Sequence, residues 1–347
     1  MKKLLILFIG LTTTVLAQDN IKFAETINIQ DLERHLTILA SDSLEGRETG
    51  KKGQKMAADY IMNHFKNIGI PPYKKHTYYQ KFRVKSGKHI CKCDDCDVNF
   101  VKKLFGKRKW IKGENVLGYI EGTDLKDELI IITAHYDHLG KHDSLIFNGA
   151  DDDGSGTVAL LEMAEAFAKA KSEGYGPRRS ILFLPFVGEE KGLLGSKYYV
   201  NNPVFPLENT IANLNIDMIG RIDEAHQGNS NYVYLIGADK LSSDLHNISS
   251  KCNKVYTGLE LDYTYNSPED PNRFYYRSDH YNFATKNIPV IFFFTGIHED
   301  YHKATDTVDK IDFNKIEKIT KLVFFTAWTP VNREDRILID KIPEEVD

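Results

Sequence analysis

The chain has 347 residues, of which 41% are hydrophobic and 27% are charged, and its formal net charge is -4. This composition is typical of a globular protein and excludes a disordered or fibrous chain. The acidic balance gives no reason to expect nucleic acid as a partner.

The first seventeen residues have the pattern of a secretory signal. Lys2 and Lys3 precede an apolar run at residues 4–10, and the small residue Ala17 comes directly before the polar Gln18. The apolar run is too short to span a bilayer stably. We therefore expect cleavage after Ala17, a secreted or periplasmic protein, and no stable membrane insertion; the alternative is an N-terminal core helix.

Two helices are predicted before the first strand of the main sheet. Residues 31–40 and 54–68 carry apolar residues at helical spacing, and the polar stretch 41–47 connects them. A segment rich in Lys and Tyr follows at residues 72–113, with Trp110 among its cations. Aromatic residues among cations can bind nucleic acid, but in an acidic chain this pattern favours a solvated hairpin or loop.

The Cys- and Lys-rich insert near residues 85–113 contains three of the four cysteines. The full set is Cys91, Cys93, Cys96 and Cys252. In an exported protein these residues can form disulfides, and the sequence does not choose between the pairings. A soft-metal site at 91–96 is the alternative, but structural zinc needs a fourth close ligand and only His89 is nearby. We therefore expect disulfides or free thiols.

From residue 115 onward, predicted strands alternate with predicted helices. Short runs rich in aliphatic, β-branched or aromatic residues predict strands at 116–120, 129–134, 180–187, 211–216, 232–236 and 290–294. Apolar periodicity predicts helices at 156–171, 193–200, 239–249 and 314–328. The alternation predicts one α/β domain over residues 18–347, built as a three-layer sandwich around a central mixed, mostly parallel sheet.

Histidine and carboxylate side chains follow the predicted strands. His135 comes directly after the strand at 129–134, and Asp137 points the same way along an extended chain. A carboxylate at that place can hold the second ring nitrogen of a metal-binding histidine and fix its tautomer. Because functional groups gather at the carboxyl ends of parallel strands, we expect these residues to lie in a site.

Four further carboxylate and histidine groups occupy similar places. Asp151, Asp152 and Asp153 precede the helix at 156–171, and three crowded anions repel one another unless a cation lies between them. Glu189 and Glu190 follow the strand at 180–187, Asp217 follows the strand at 211–216, and His302 lies in the loop after 290–294. Histidine mixed with carboxylate, without Cys, is typical of zinc with open coordination positions.

These residues resemble those of the co-catalytic dizinc exopeptidases of metallopeptidase family twenty-eight, which contains bacterial leucyl aminopeptidase, aminopeptidase Y and glutamate carboxypeptidase. The resemblance covers about residues 30 to 330. It is carried by His135-Tyr136-Asp137, Gly149-Ala150-Asp151-Asp152, Glu189-Glu190 with Gly192 and Gly195-Ser196, Asn215-Ile216-Asp217, Ser278-Asp279-His280, and His302 with Asp306-Thr307.

The resemblance implies a role for each of these positions. Two zinc ions would be bridged by Asp152, one of them also held by His135 and Asp217 and the other by Glu190 and His302. Glu189 would be the general base of hydrolysis by a hydroxide that the metals share, and Asp137 would orient His135.

The resemblance also implies a substrate pocket. Residues 273–280 would line it, although this segment lacks the cysteine pair of some bacterial members. Tyr275 or Tyr281 is a candidate oxyanion donor. An aminopeptidase also needs a carboxylate for the substrate α-amine, for which Asp151, Asp153 and Asp300 are the candidates.

The leading hypothesis is therefore a secreted zinc aminopeptidase that acts on peptides. A glutaminyl cyclase on the same fold would use one zinc, and a carboxypeptidase would need a cation such as Arg273 or Arg277 for the substrate carboxylate. A binding domain that has lost catalysis is disfavoured, because all five ligands and Glu189 are present. The sequence leaves the oligomeric state open.

Overall fold

A computed structural model describes residues 20–74, 76–85 and 110–341. The signal expected at residues 1–17 and the cysteines Cys91, Cys93 and Cys96 lie outside these ranges. Cys252 is buried and forms no disulfide within the described part of the chain. None of the described helices is both long enough and apolar enough to cross a membrane.

The six predicted helices are present with shifted ends, and a short helix at residues 280–284 that was not predicted accompanies them. They are α1 (Ile29–Leu39), α2 (Lys52–Asn67), α3 (Gly156–Ser172), α4 (Leu194–Asn201), α5 (Ser243–Cys252), α6 (His280–Ala284) and α7 (Phe313–Asn332). The helix expected from residue 239 begins instead at Ser243, because the Ser242 side chain accepts a hydrogen bond from the backbone N–H of Leu245 and caps the helix there.

Each predicted strand has a counterpart, and strands that were not predicted accompany them. The strands are β1 (Tyr79–Lys85), β2 (Trp110–Val116), β3 (Gly118–Ile120), β4 (Leu125–His135), β5 (Gly140–His142), β6 (Leu145–Phe147), β7 (Arg179–Phe186), β8 (Thr210–Ile216), β9 (Tyr232–Ile236), β10 (Glu260–Asp262) and β11 (Val290–Phe294). The strand predicted at 116–120 is divided, since β2 pairs antiparallel with β1 whereas β3 pairs with β7.

The central sheet has seven strands in the order β10-β9-β11-β8-β4-β7-β3. Strand β4 is parallel to both of its neighbours, β7 and β8, and β8 is parallel to β11. The antiparallel pairs are β11 with β9 and β3 with β7. The predicted mixed, mostly parallel sheet is therefore confirmed.

Helices cover both faces of this sheet. Successive residues of β4 alternate between the faces, so Ile130 packs in a core with α1, α2, α3, α5 and α7, whereas Ile131 packs in a second core with α4 and α6. Both side chains are fully buried. These two apolar layers hold β4, β7 and β8 rigidly side by side, with their carboxyl ends at one edge of the sheet.

Candidate metal centre

The ends of three parallel strands supply the side chains of the centre. His135 is the last residue of β4, and Asp217 follows the last residue of β8. After β7 the chain turns at Gly188, whose φ of +85° favours glycine, and then presents Glu189 and Glu190. Because these strands are parallel neighbours, residues far apart in sequence meet at one edge of the sheet.

The carboxylate of Asp152 lies at the middle of the cluster. Its Oδ1 atom is 3.2 Å from Nε2 of His135, and its Oδ2 atom is 3.1 Å from Nε2 of His302. The same nitrogen of His135 lies 3.5 Å from Oδ1 of Asp217, and that of His302 lies 3.5 Å from Oε2 of Glu190. The five side chains named as ligands in the sequence thus form two triads that share Asp152.

The spacing and the chemistry of these donor atoms suit zinc. Four ligand atoms at about 2.0–2.1 Å from a tetrahedral zinc ion lie about 3.3 Å from one another. The separations of 3.1–3.5 Å within the triads agree with that value. Imidazole nitrogen and carboxylate oxygen are both zinc ligands, and four of the five residues are buried.

A network of polar side chains orients Asp217. Its Oδ2 atom accepts a hydrogen bond from the hydroxyl of Ser278 at 2.7 Å, which leaves Oδ1 directed at His135. Asn215 donates to that hydroxyl at 2.9 Å, and Thr133 of β4 donates to Asn215 at 2.7 Å. All members of the network are buried, so the sheet itself fixes the direction of the Asp217 carboxylate.

The three adjacent acids before α3 point in different directions, which corrects the argument that they crowd around a cation. Oδ1 of Asp151 accepts from the backbone N–H of Gly220 at 2.6 Å, and its Oδ2 lies 3.3 Å from Nε2 of His298. Asp306 accepts from the backbone N–H groups of Asp151 and Asp152. Only Asp152 reaches both His135 and His302.

Asp153 lies close to the first triad, but its carboxylate is occupied by the backbone. Its ligand atom is within 4.8 Å of those of His135 and Asp217. However, Oδ2 accepts from the N–H of His135 at 3.0 Å, and Oδ1 accepts from those of Gly156 at 2.8 Å and Met218 at 3.1 Å. These contacts give Asp153 a structural role, in which it joins the acidic turn to the ends of β4 and β8.

Asp137 supports two residues of the centre. The ring nitrogen Nδ1 of His135 lies 3.0 Å from the backbone carbonyl of Asp137, and 3.8 Å from its carboxylate. That carboxylate accepts hydrogen bonds from the hydroxyl of Thr49 and, at 3.3 Å, from the backbone N–H of Glu189. The expectation that the Asp137 carboxylate holds His135 is thus corrected, because the backbone carbonyl makes that contact and the carboxylate positions Glu189 instead.

His138 is a member of the centre to which sequence reasoning gave no role. It is fully buried, and its Nδ1 atom lies 2.9 Å from Oε1 of Glu190 and 3.8 Å from Oδ2 of Asp152. Its ring meets that of His302 edge-on, with 5.9 Å between centroids. Its place three residues after His135, in the same histidine-rich segment, was the available signal.

Arg47 stabilises the segments of backbone that carry the metal centre. Its buried guanidinium donates to the backbone carbonyls of Leu39, Tyr136, Asn148 and Gly149 at 2.6–2.9 Å. Tyr136 follows His135, and Gly149 begins the acidic turn, so one side chain ties two ligand-bearing segments together. A buried cation also offsets the negative charge of the acids nearby.

Opposite charges in the metal-free centre shift the pKa values of its groups. Burial raises the pKa of a carboxyl, yet His138, His135 and His302 hold that of Asp152 well below its usual range. Burial opposes charge on His302, but Asp152 and Glu190 raise its pKa to about 9.

The pKa of Glu189 is shifted in the opposite direction from that of Asp152. Burial raises the pKa of its carboxyl well above the usual range, although the charge of His135 opposes the shift. Its side chain is 14% exposed and lies 4.0 Å from Nε2 of His135. A carboxyl of raised pKa that lines the cleft is suited to taking up a proton.

The centre opens into a cleft. Metal-centre residues form one part of its lining, and apolar residues form another. The full lining is His135, Asp152, Glu189, Asp217, Met218, Phe274, Arg277, Ser278, Phe292, Phe294, Ile297, Tyr301 and His302. Of the segment 273–280 expected to line a pocket, Phe274, Arg277 and Ser278 do so.

The other residues expected around the substrate do not line this cleft. Tyr275 and Tyr281 are absent from its lining, in which the tyrosine is Tyr301. Asp151 and Asp153 have the partners described above. Asp300 is bound by Arg221 at 3.0 Å and Lys310 at 2.7 Å, so its charge is already compensated. The carboxylates that line the cleft are those of Asp152, Glu189 and Asp217.

Comparisons with known proteins agree with this fold. The Legionella pneumophila LapA aminopeptidase superposes with a TM-score of 0.69 at 22% identity, covering 92% of this chain and 75% of that one. Porphyromonas gingivalis glutaminyl cyclase superposes with a TM-score of 0.63 at 17% identity, covering 86% and 97%. At these identities the likeness extends to the fold alone.

Sequence comparison adds the family. Aminopeptidase YwaD of Bacillus subtilis is 28% identical over 64% of this chain and 46% of its own length. The match to this chain spans less than half the length of each of the first two curated relatives. The model of peptidase family M28 matches residues 115–327, which include His135, Asp152, Glu190, Asp217 and His302. The chain therefore belongs to peptidase family M28.

Proposed function

We propose that the chain is a zinc-dependent exopeptidase that removes N-terminal residues from peptides. One observation carries the proposal: the two oxygens of Asp152 face two separate donor sets, His135 with Asp217 and His302 with Glu190. A carboxylate placed in this way is suited to bridge two metal ions. The aminopeptidase relative and the aminopeptidase structural neighbour support this function.

The ligands fall into two sets around the shared carboxylate. Asp152, His135 and Asp217 would hold one zinc ion, and Asp152, Glu190 and His302 would hold the other. Zinc bound there would polarise the scissile carbonyl and lower the pKa of a water molecule. The direction of each ligand is fixed by the chain, since hydrogen bonds hold Asp217 and the backbone of the acidic turn.

Glu189 is proposed as the general base. Its carboxylate lines the cleft, and the hydrogen bond from its N–H to Asp137 fixes the turn that carries it. It accepts a proton from the attacking water and then delivers that proton to the nitrogen of the leaving amine. The raised pKa of Glu189 supports this role, because a more basic carboxylate takes the proton from water more readily and retains it until the leaving nitrogen accepts it.

The cleft suits a substrate with a free α-ammonium group and an apolar side chain. Of the carboxylates that line the cleft, that of Glu189 is not assigned to a zinc ion, so it is the one left to attract a cation. Met218, Phe292 and the other apolar lining residues offer contacts to an aliphatic or aromatic side chain.

A panel of peptides that differ only in their blocked ends tests the aminopeptidase proposal. We expect the zinc-loaded protein to release leucine from a leucyl peptide whose ends are both free. It should also release leucine from the C-terminally amidated form of this peptide, but not from the N-acetylated form. Cleavage of the N-acetyl form at its C-terminal bond would instead indicate a carboxypeptidase. Release of ammonia from a peptide that begins with Gln, without hydrolysis, would indicate a glutaminyl cyclase.

We also propose that residues 18–347 form one catalytic domain and that the protein is exported. The basic and apolar segment before Ala17 supports export. N-terminal sequencing of protein recovered from the periplasm or medium of an expressing bacterium tests this, with Gln18 expected as the first residue. A protein retained in the cytoplasm with residues 1–17 intact would contradict it.

A further inference from the structure

The cleft carries a guanidinium group, that of Arg277. Among the lining residues of the cleft it is the sole Lys or Arg, and its side chain is exposed. The remaining lining is either apolar or belongs to the acidic metal centre, so this cation stands apart from its surroundings in chemistry. The position of this cation in the cleft therefore calls for a partner of opposite charge.

Aromatic side chains hold the guanidinium in position. Its carbon atom lies 4.9 Å from the ring centroid of Phe274, and one of its terminal nitrogens lies 3.5 Å from the hydroxyl of Tyr301. The Tyr301 ring in turn stacks on His302, with 3.8 Å between centroids. Arg277 is thus connected through Tyr301 to the metal centre, so its orientation is coupled to that of the cleft.

The charge of Arg277 is available to a ligand. Within the described ranges of the chain, no carboxylate oxygen forms an ion pair with it, and its contacts are with the two aromatic residues. Arg221 differs in this respect, since it lies 3.0 Å from Asp300. The planar fork of arginine binds a carboxylate through two parallel hydrogen bonds, which gives both affinity and direction.

We propose that Arg277 binds a carboxylate group of the peptide substrate. This inference rests on the proposed function, because it assigns a further contact in the same cleft. The carboxylate comes from one of two sources: the C-terminus of a dipeptide, or the side chain of an N-terminal Asp or Glu. In both cases the apolar lining contacts the hydrocarbon part of the substrate, and Arg277 is the Lys or Arg of the lining that can pair with the carboxylate.

Two matched pairs of substrates test the contact and identify its source. Leu-Gly is compared with Leu-glycinamide, and glutamyl-p-nitroanilide with glutaminyl-p-nitroanilide, so that each pair differs by one carboxylate. We expect Arg277→Gln to lower kcat/KM about 10- to 100-fold for the charged member of one pair, the scale of a lost charge-assisted hydrogen bond. The kcat/KM for the neutral member of that pair should change less than twofold.

Arg273→Gln is the matched control. Arg273 lies four residues earlier in the same segment and stacks on Tyr276 at 4.7 Å, but it does not line the cleft. We expect replacement of Arg273 to leave kcat/KM unchanged for all four substrates. Equal losses for charged and neutral substrates in Arg277→Gln, or no loss in either pair, would overturn the proposal.

A binding measurement separates this contact from catalysis. Calorimetric titration of the zinc-loaded Glu189→Gln protein, with and without Arg277→Gln, measures affinity for the same four compounds. Tighter binding of one charged member that requires Arg277 supports the inference, even if no compound is hydrolysed and the proposed function fails. Equal affinity within both pairs, or no binding of any compound, would overturn it.

Discussion

The carboxylate of Asp153 accepts a hydrogen bond from the backbone N–H of His135, with 3.0 Å between the oxygen and the nitrogen. The end of β4 is thereby joined to the turn that carries Asp152. Since the second oxygen of Asp153 also accepts backbone N–H groups, the chain itself holds Asp152 between His135 and His302. The donor atoms are therefore preorganised for metal binding.

Replacement of Asp152 by Asn should reduce zinc binding strongly. An amide cannot offer two anionic oxygens, so both triads lose their shared ligand. We expect less than one zinc equivalent per chain after dialysis, measured by elemental analysis, against two for the wild type. Asp151→Asn is the control, because Asp151 contacts Gly220 and His298 and should leave the zinc content unchanged. Two full equivalents in Asp152→Asn would contradict the bridge.

Replacement of Glu189 by Gln should separate metal binding from turnover. The amide keeps the size of the side chain but cannot accept the proton of the attacking water. We expect kcat for leucyl-p-nitroanilide to fall by about 10²- to 10⁴-fold, the usual scale for loss of a general base, while zinc content stays at the wild-type value. Unchanged turnover would remove Glu189 from this role.

Zinc affinity should rise with pH through the neutral range. The pKa of His302 is raised to about 9 in the metal-free chain, and a ligand imidazole must lose its proton before it binds zinc. For each proton that zinc must displace, the apparent affinity for zinc rises about tenfold for every unit by which the pH increases, as long as the pH is below the pKa. Competition with a chelator of known pH dependence measures this slope. A slope of zero between pH 6 and about 8 would contradict the assignment of His302 as a ligand.

His138 should contribute to metal retention at the Glu190 side of the centre. Its Nδ1 atom lies 2.9 Å from Oε1 of Glu190, so it is placed to hold that carboxylate in its binding orientation. We expect His138→Gln to weaken one of the two zinc sites about 10- to 100-fold, as is usual for residues that orient ligands. Chelator competition would then show two unequal phases. Wild-type retention in both phases would exclude this role.

His280 should make folding stability sensitive to acid. It is fully buried, and burial lowers its pKa from 6.5 to about 3. Between these values the unfolded chain binds a proton that the folded chain does not, so the free energy of unfolding falls as pH falls. The loss is about 1.4 kcal/mol per pH unit below 6.5.

His280→Phe removes this titration and keeps an aromatic ring beside Phe292, on which His280 stacks. Urea unfolding of the chelator-treated proteins between pH 4 and 6.5 measures the difference. We expect the variant to gain stability relative to the wild type as pH falls. A constant difference between the two proteins would show that His280 does not titrate in this way.

The residue types and the strand pattern were sufficient to predict the sheet and the gathering of histidine and carboxylate groups at one edge of it, whereas the choice of Asp152 and Glu190 among adjacent acids came from the family resemblance. The sheet and this gathering both depend on local signals, since His135 and Asp217 come directly after short apolar runs and Glu189 comes shortly after another. The directions of side chains depend on distant partners, and these could not be inferred. Asp151, Asp152 and Asp153 look alike in sequence, but only the positions of Gly220, His135 and His302 distinguish their roles. The buried contacts of Arg47 were hidden for the same reason.

Crystallography of the zinc-loaded protein at the zinc absorption edge tests the central claim most directly. We predict two anomalous peaks on the two sides of the Asp152 carboxylate, one contacting His135 and Asp217 and the other contacting Glu190 and His302. A single peak, or peaks that contact other residues, would contradict the account.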